Sequence, residues 1–329
     1  MAIDTEKQLE ELVKDIVNDK VVVVAGTGVS LLSLEKTNWA FASWEGLLRA
    51  GVQYCKEHDL INKDEESLIL AQINTQSTIF MTSAAQQIVY FMKGRGVHFQ
   101  RWIQQTVATL KVADKRLINT ILRLNCPIMT TNYDNLIEQV NPDLSYYNAD
   151  REQVLIIEAI RKRDPKYIIH LHGHFRHPDS LVFDISSYED IKRNEQIQAL
   201  LNSIDTTATY LFIGCGVAGL NDANLGPLLH RSNELFGNVG FKHYRLVRDS
   251  ELKEVSSNRR LVLLSYGKEY SDLLPFMETL LNKVKALKEY HEKVARDLLE
   301  QKLRASQTSD QEELDLLNQL IRMNKKNDE

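Results

Sequence analysis

"DKVVVVAGTGVSLL", residues 19–32, is the stretch on which the fold turns. Its four successive valines are β-branched, too few for a free helix, and fit a buried strand. The strand runs into Gly26-Thr27-Gly28, where the missing Cβ lets backbone N–H groups approach phosphate oxygens. Two nucleotide-binding patterns fail here. The redox pattern G-x-G-x-x-G needs a third glycine where Leu31 stands. It also needs an acidic residue closing a second strand about 20 residues on, whereas Glu45 falls in a helical run. Walker A needs Gly-Lys-Ser/Thr, and none follows. What remains is a nucleotide cradle of another kind or a purely structural tight turn.

Working outward, Leu9, Leu12, Val13 and Ile16 give helical spacing over Thr5–Val17. Beyond the turn, residues 43–123 show no strand pattern. "SWEGLLRAGVQYCKEH", "TSAAQQIVYFMKG", "FQRWIQQTVATLK" and "DKRLINTILRLN" each carry i, i+3, i+4 apolar spacing, with Ser43 and Thr82 as candidate N-caps. This predicts an inserted helical subdomain. Strand and helix then alternate. "CPIMTTN" (126–132), "KYIIHLHG" (166–173), "SLVFD" (180–184), "TYLFIGCG" (209–216), "KHYRLVRD" and "RRLVLLSYG" read as strands. Helices are expected from Tyr133, over "SYEDIKRNEQIQALLNSI", over "DANLGPLLHRSNELFG" and between the last two strands. The alternation predicts an α/β fold with a Rossmann-like parallel sheet covered on both faces.

From Met277 the apolar side falls at Met277, Leu280, Val284, Leu287, His291, Val294 and Leu298, a heptad on one long helix. Such a helix packs on a neighbouring subunit or back on its own domain. A polar break, "ASQTSD", precedes a short helix over 311–323 and a tail, "KKNDE", expected to be disordered. The expected organisation is a domain over 1–275, carrying the helical insertion, and a C-terminal helical extension over 276–329.

With 329 residues, 43% hydrophobic and 26% charged, the composition is that of a globular protein. A net charge of −5 argues against a nucleic-acid partner, which calls for a basic face. No apolar run reaches the ~18 residues that span a bilayer, and "MAIDTEKQLEEL" has no signal-peptide core. The expectation is a cytoplasmic protein without a membrane partner. Three scattered cysteines, Cys55, Cys126 and Cys215, build neither a disulfide framework nor a four-thiolate zinc site and read as small buried hydrophobes.

Three further stretches carry chemistry. "IMTTNYDN" (128–135) ends its apolar run at Thr130, Thr131 and Asn132, at the strand edge where open α/β sheets bind ligands. Asn132 is equally placed to cap the helix expected from Tyr133. "HLHGHFRH" (170–177) puts His170, His172 and His174 on one face if the strand continues through His172. Three such histidines suggest a metal, but no carboxylate or cysteine stands at matching spacing, so no metal is expected. Gly173 turns the chain and leaves His172 at the rim, where an imidazole can serve as a base. "FIGCGV" (212–217) is a second strand ending in a glycine turn.

In this order the stretches resemble the sirtuin family. "GTGVS" is similar to its Gly-Ala-Gly-x-Ser turn, "TTNYD" to its Thr-Gln-Asn-x-Asp, "LHG" to its catalytic His-Gly, and "GCG" stands at its second glycine turn. The resemblance covers roughly residues 10–270. Two family features are absent: "LLSLEKTNWAFASW" replaces Gly-Ile-Pro-Asp-Phe-Arg, and the four-cysteine zinc module has no counterpart. The pattern is closest to the divergent sirtuin-like branch of bacterial antiphage NAD hydrolases and related animal proteins that assemble through this domain.

The resemblance implies an NAD+ glycohydrolase that releases nicotinamide and ADP-ribose, with NAD as substrate and no metal. It implies Asn132 on the water and a ribose hydroxyl, His172 as general base, Asp134 on the nicotinamide carboxamide, and Thr131 as a further cofactor contact. Gly26, Thr27, Gly28 and Ser30 would cradle the pyrophosphate. Gly214, Cys215 and Gly216 would contact the adenosine half, and Tyr266 would flank the adenine. It further implies control by homo-oligomerisation, as a filament or ring, or by an ATPase or nuclease partner, in antiphage or innate defence. The alternatives are a scaffold that binds NAD or ADP-ribose without turnover and a zinc-free protein deacylase.

Overall fold

In a computed structural model, which describes residues 2–93, 97–216, 242–253 and 260–305, the valine run becomes β1 (Val21–Ala25), buried throughout. Each valine taken out of water contributes about 1.5–3 kcal/mol, enough to make this strand the axis of the sheet. β2 (Ile128–Thr130), β3 (Ser145–Asn148), β4 (Tyr167–His170), β5 (Thr209–Ile213), β6 (His243–Arg248) and β7 (Leu261–Gly267) complete it in the order β3-β4-β2-β1-β5-β6-β7. Every neighbouring pair is parallel. The fold is therefore the expected Rossmann-like α/β type.

Among the described residues, helices alone lie between β1 and β2. After α1 (Ala2–Val17), α2 (Thr27–Ser33) starts inside the first glycine turn. There follow α3 (Trp39–Ala42), α4 (Trp44–Glu57), α5 (Lys63–Asn74), α6 (Thr78–Lys93), α7 (His98–Gln105) and α8 (Arg116–Leu122). Ser43 caps α4 by accepting the Gly46 N–H at 3.1 Å, as its residue type suggests. Thr82 is not a cap: it lies inside α6 and donates its hydroxyl to the Thr78 carbonyl. α9 (Leu136–Val140), α10 (Gln153–Arg161), α11 (Ile185–Arg193) and α12 (Glu195–Thr207) connect the later strands, and α13 (Leu273–Ala305) follows β7.

Several expectations need correction. "SLVFD" forms no strand; Leu181, Val182 and Phe183 are buried in irregular chain, tied by the Val182 N–H to the His172 carbonyl. The single helix expected over 187–204 is α11 and α12, because Asn194 breaks the run and caps α12 through Gln196 N and Ile197 N. The helix expected from Tyr133 begins at Leu136, whose N–H is taken by Asp134 Oδ1. Strand β3 was not anticipated. The helices expected over "DANLGPLLHRSNELFG" and 311–323, and the tail "KKNDE", lie outside the described residues.

The register explains how distant segments meet. Ala25 lies level with Thr130 on one side and Ile213 on the other, and Thr130 lies level with His170. One step further along each parallel strand therefore brings Gly26, Thr131, Leu171 and Gly214 to the same edge. The chain leaves β1 to build β2 on one side and β5 on the other, which makes the carboxyl ends of these strands the ligand-binding position of open α/β sheets.

The chain divides into two compact units, residues 1–284 and 285–329. In the first, the opening turns of α13 bury Leu273, Met277, Leu280, Leu281 and Val284. In the second, the later heptad positions Val294 and Leu298 are exposed. No described helix is long and apolar enough to cross a membrane.

Candidate active site

The two glycine turns are built against each other. The Gly26 N–H donates to the Ile213 carbonyl and the Gly28 N–H to the Gly214 carbonyl, both at 2.9 Å. A Cβ on Gly28 would come within 2.7 Å of Gly214 Cα, and one on Gly26 within 2.7 Å of Gly214 O and Cys215 Sγ. Gly214 itself has a φ of +66°, in the region glycine alone enters freely. These contacts require glycine whether or not a ligand is present. Gly216 differs: among the described residues nothing lies within 4 Å of a built Cβ.

Above the turns opens a crevice of about 410 Å³, within the range of small-molecule sites. Gly26, Thr27, Thr131, Asn132, Asp134, His172, Gly214, Cys215 and Gly216 all line it. Three expected contacts do not. Gly28 spends its N–H on Gly214, and Ser30, one turn into α2, faces the protein interior. Tyr266 on β7 lies outside the crevice wall, near Arg248, Glu251 and Tyr270.

Ser30 has another task. Its hydroxyl donates to Asp134 Oδ2 at 2.8 Å and accepts from Asn132 Nδ2 at 2.9 Å. Asn132 Nδ2 also donates to the Gly26 carbonyl at 3.0 Å. Asn132 is thus no helix cap: its amide nitrogen is fully committed to the floor, which leaves Oδ1 as the group it offers to a ligand. Burial pushes the Asp134 carboxyl above its ordinary range, against the bonds from Ser30 and the Leu136 N–H.

The three histidines do not share a face, because β4 stops at His170 and period two stops with it. His172 lines the crevice, with Tyr188 edge-on at 5.7 Å. Gly173, with a φ of +81°, makes the turn beyond it; a Cβ there would meet the Ser180 carbonyl at 2.4 Å. His170 and His174 turn inward instead, ring to ring at 4.7 Å, where Glu138 of α9 joins them. The potential ligand atoms of these three residues lie within 4.8 Å of one another, and the carboxylate that spacing concealed is 32 residues from His170 in the chain. Their nitrogens are largely engaged already. His170 Nδ1 is 3.1 Å from the Asn132 carbonyl, His170 Nε2 is 2.9 Å from Glu138 Oε1, and His174 Nδ1 accepts the Arg176 N–H. Burial drives the His174 imidazole down to about 2, so it is neutral.

Residues of the helical block close the opposite wall. Phe41, Trp44, Leu47 and Val107 supply apolar surface, Ser43, Thr78 and Thr82 hydroxyls, and the Lys192–Glu189 pair of α11 adds charge. Sequence reasoning missed this wall: its apolar positions obey the same helical periodicity as the core. Cys215 lines the crevice with its thiol turned to the Val24 carbonyl. Burial pushes that thiol up to about 12. Buried Arg245 holds the Cys215 carbonyl through Nε at 3.0 Å.

Comparison with known proteins agrees with this geometry. Residues 127–271 match a family model described as a SIR2-like domain. The NAD(+) hydrolase ThsA of Cytobacillus dafuensis is 26% identical over 259 residues, covering 75% of this chain and 45% of that protein. The chain thus spans less than half of that relative's length. The sheet order and the apposed glycine turns agree with this match, and residues 127–271 carry a SIR2-like domain.

Proposed function

We propose that the chain is an NAD+ glycohydrolase, and that the crevice over β1, β2 and β5 is its active site. The observation that carries the reading is the convergence of Asn132 and His172 with both glycine turns on that one crevice. The similarity to an NAD(+) hydrolase supports the choice of substrate.

The N-glycosidic bond of NAD+ joins ribose to a pyridinium, so nicotinamide leaves with the bonding electron pair and needs no proton from the protein. The site has to hold the ribose, place a water at C1′ and stabilise an oxocarbenium-like transition state. Asn132 Oδ1 accepts from that water or from a ribose hydroxyl. His172 takes the proton released as the water oxygen bonds to C1′. Asp134 and Thr131 border the nicotinamide, the Gly26–Thr27 backbone meets the pyrophosphate, and Gly214–Gly216 borders the adenosine half. Assembly of copies through the exposed heptad positions Val294 and Leu298 controls the activity, and defence against phage is the setting in which NAD+ depletion would serve a cell.

Incubating the purified chain with NAD+ should release nicotinamide and ADP-ribose in equal amounts, more per chain as protein concentration rises. His172→Ala and Asn132→Ala should each lower the rate by roughly 10²–10⁴ while leaving the fold intact. Wild-type rates in both variants would remove these residues from the mechanism. Binding of NAD+ without any release would favour the scaffold reading.

A further inference from the structure

Asn132 stands two residues beyond the last ladder-bonded residue of β2, where no neighbouring strand can hold its main chain. Side chains do so instead. Its N–H donates to Thr130 Oγ1 at 3.0 Å, and its carbonyl faces His170 Nδ1 at 3.1 Å. His170 is the last residue of β4 and is 0% exposed. Its other nitrogen meets Glu138 Oε1 at 2.9 Å. Tyr146 and His174 pack edge-on against the ring at 5.8 and 4.7 Å.

Counting protons fixes what this arrangement does. A backbone carbonyl has no proton to give, so Nδ1 must carry one. A second proton lies between Nε2 and the Glu138 carboxyl. It makes either an imidazolium beside a carboxylate or an imidazole beside a carboxylic acid. Both forms have zero net charge, and both keep the proton on Nδ1. Without the carboxyl, the ring would keep its proton on Nδ1 for the carbonyl but lose the partner that fixes its orientation at Nε2.

We propose that Glu138 and His170 are positioning residues for the reaction: Glu138 holds the His170 ring in place through Nε2, and its Nδ1–H anchors the Asn132 main chain. Two anchors then hold one residue. The Ser30–Asp134 pair and the Gly26 carbonyl set the side-chain amide, and His170 sets the peptide from which it projects. The consequence for NAD+ cleavage rests on the functional reading above; the state of the His170 ring does not.

The test pairs each disruptive variant with a conservative one. His170→Phe removes the donor, whereas His170→Asn places an amide N–H where Nδ1 stood. Glu138→Leu removes the carboxyl, whereas the Glu138→Gln amide can donate to Nε2 and keep the ring oriented. His170→Phe and Glu138→Leu should lower kcat about 100-fold with KM little changed, the scale of a catalytic group displaced by an ångström. The Asn and Gln variants should recover most of that loss. Wild-type kcat in His170→Phe and Glu138→Leu, or no recovery in the conservative pair, overturns the proposal.

A second readout is independent of turnover. Nitrogen-15 spectra of the wild-type imidazoles at neutral pH should show His170 protonated at Nδ1, and Glu138→Leu should weaken the coupling across that hydrogen bond to the Asn132 carbonyl. A bare Nδ1 in the wild type overturns the proposal even if every substituted chain fails to fold. Absence of nicotinamide release from the wild type would instead sink the functional reading and leave the ring spectrum to judge the Glu138–His170 arrangement.

Discussion

The carboxyl and amino ends of the sheet both bury polar side chains, and they do so to different ends. At the carboxyl edge Ser30, Asp134, Asn132, His170 and Glu138 bond to one another around an open crevice. At the amino edge of β5, β6 and β7, Asp205 of α12 lies 3.5 Å from His243 and 3.7 Å from Arg260, all three under 4% exposed. His243 Nδ1 accepts the Tyr210 N–H, and burial pulls its imidazole below the ordinary value despite the pull of Asp205 in the other direction. This leaves a neutral ring beside an Arg–Asp pair, and none of these residues lines the crevice. Of these two buried polar clusters, one borders an open crevice and the other does not.

That contrast can be broken by experiment. The largest stability effect is expected at the amino edge. Asp205→Ala leaves a buried guanidinium without its carboxylate, a change that typically costs about 3–5 kcal/mol. Chemical denaturation should show that loss, while the folded fraction keeps its turnover. A normal midpoint with reduced kcat would reverse the roles assigned to the two ends.

A smaller and subtler effect is expected at Asp134. Burial holds its carboxyl above the ordinary range, so the native state binds that proton more tightly than the unfolded chain does. This contribution to stability is present at low pH and falls as pH rises from the ordinary carboxylate value through the raised native one. Asp134→Asn keeps an oxygen for the Ser30 hydroxyl and removes the titration, so melting curves across that window should lose part of their pH slope. An unchanged slope would mean that Asp134 is better solvated than its surroundings indicate.

The two ends also differ in how plainly the sequence announced them. β1, β2, β4 and β5 were legible because unbroken apolar runs in this composition have few other uses, and the glycine turns mark where two of them end. "SLVFD" misled for the same reason: a short apolar run is buried equally well as irregular chain. β3, "SYYN", escaped notice because its strand is four residues long, polar at both ends and at the sheet margin. Ser30 invited a phosphate role by its place in the motif, yet α2 begins at Thr27, and one helical turn carries Ser30 inward. Glu138 carried no signal at all. Its meaning depends on α9 passing His170, and no spacing rule connects residues that only the fold brings together. Asp205, His243 and Arg260 were silent for the same reason.

The central claim is that strand ends far apart in the chain form one dinucleotide site. It is tested most directly by a crystal structure of the His172→Ala variant grown with NAD+. The account predicts an intact dinucleotide in the crevice, with its pyrophosphate at Gly26–Thr27, its adenosine beside Gly214–Gly216 and a ribose hydroxyl or a water on Asn132 Oδ1. NAD+ bound elsewhere, or density confined to one glycine turn with Asn132 untouched, would contradict it.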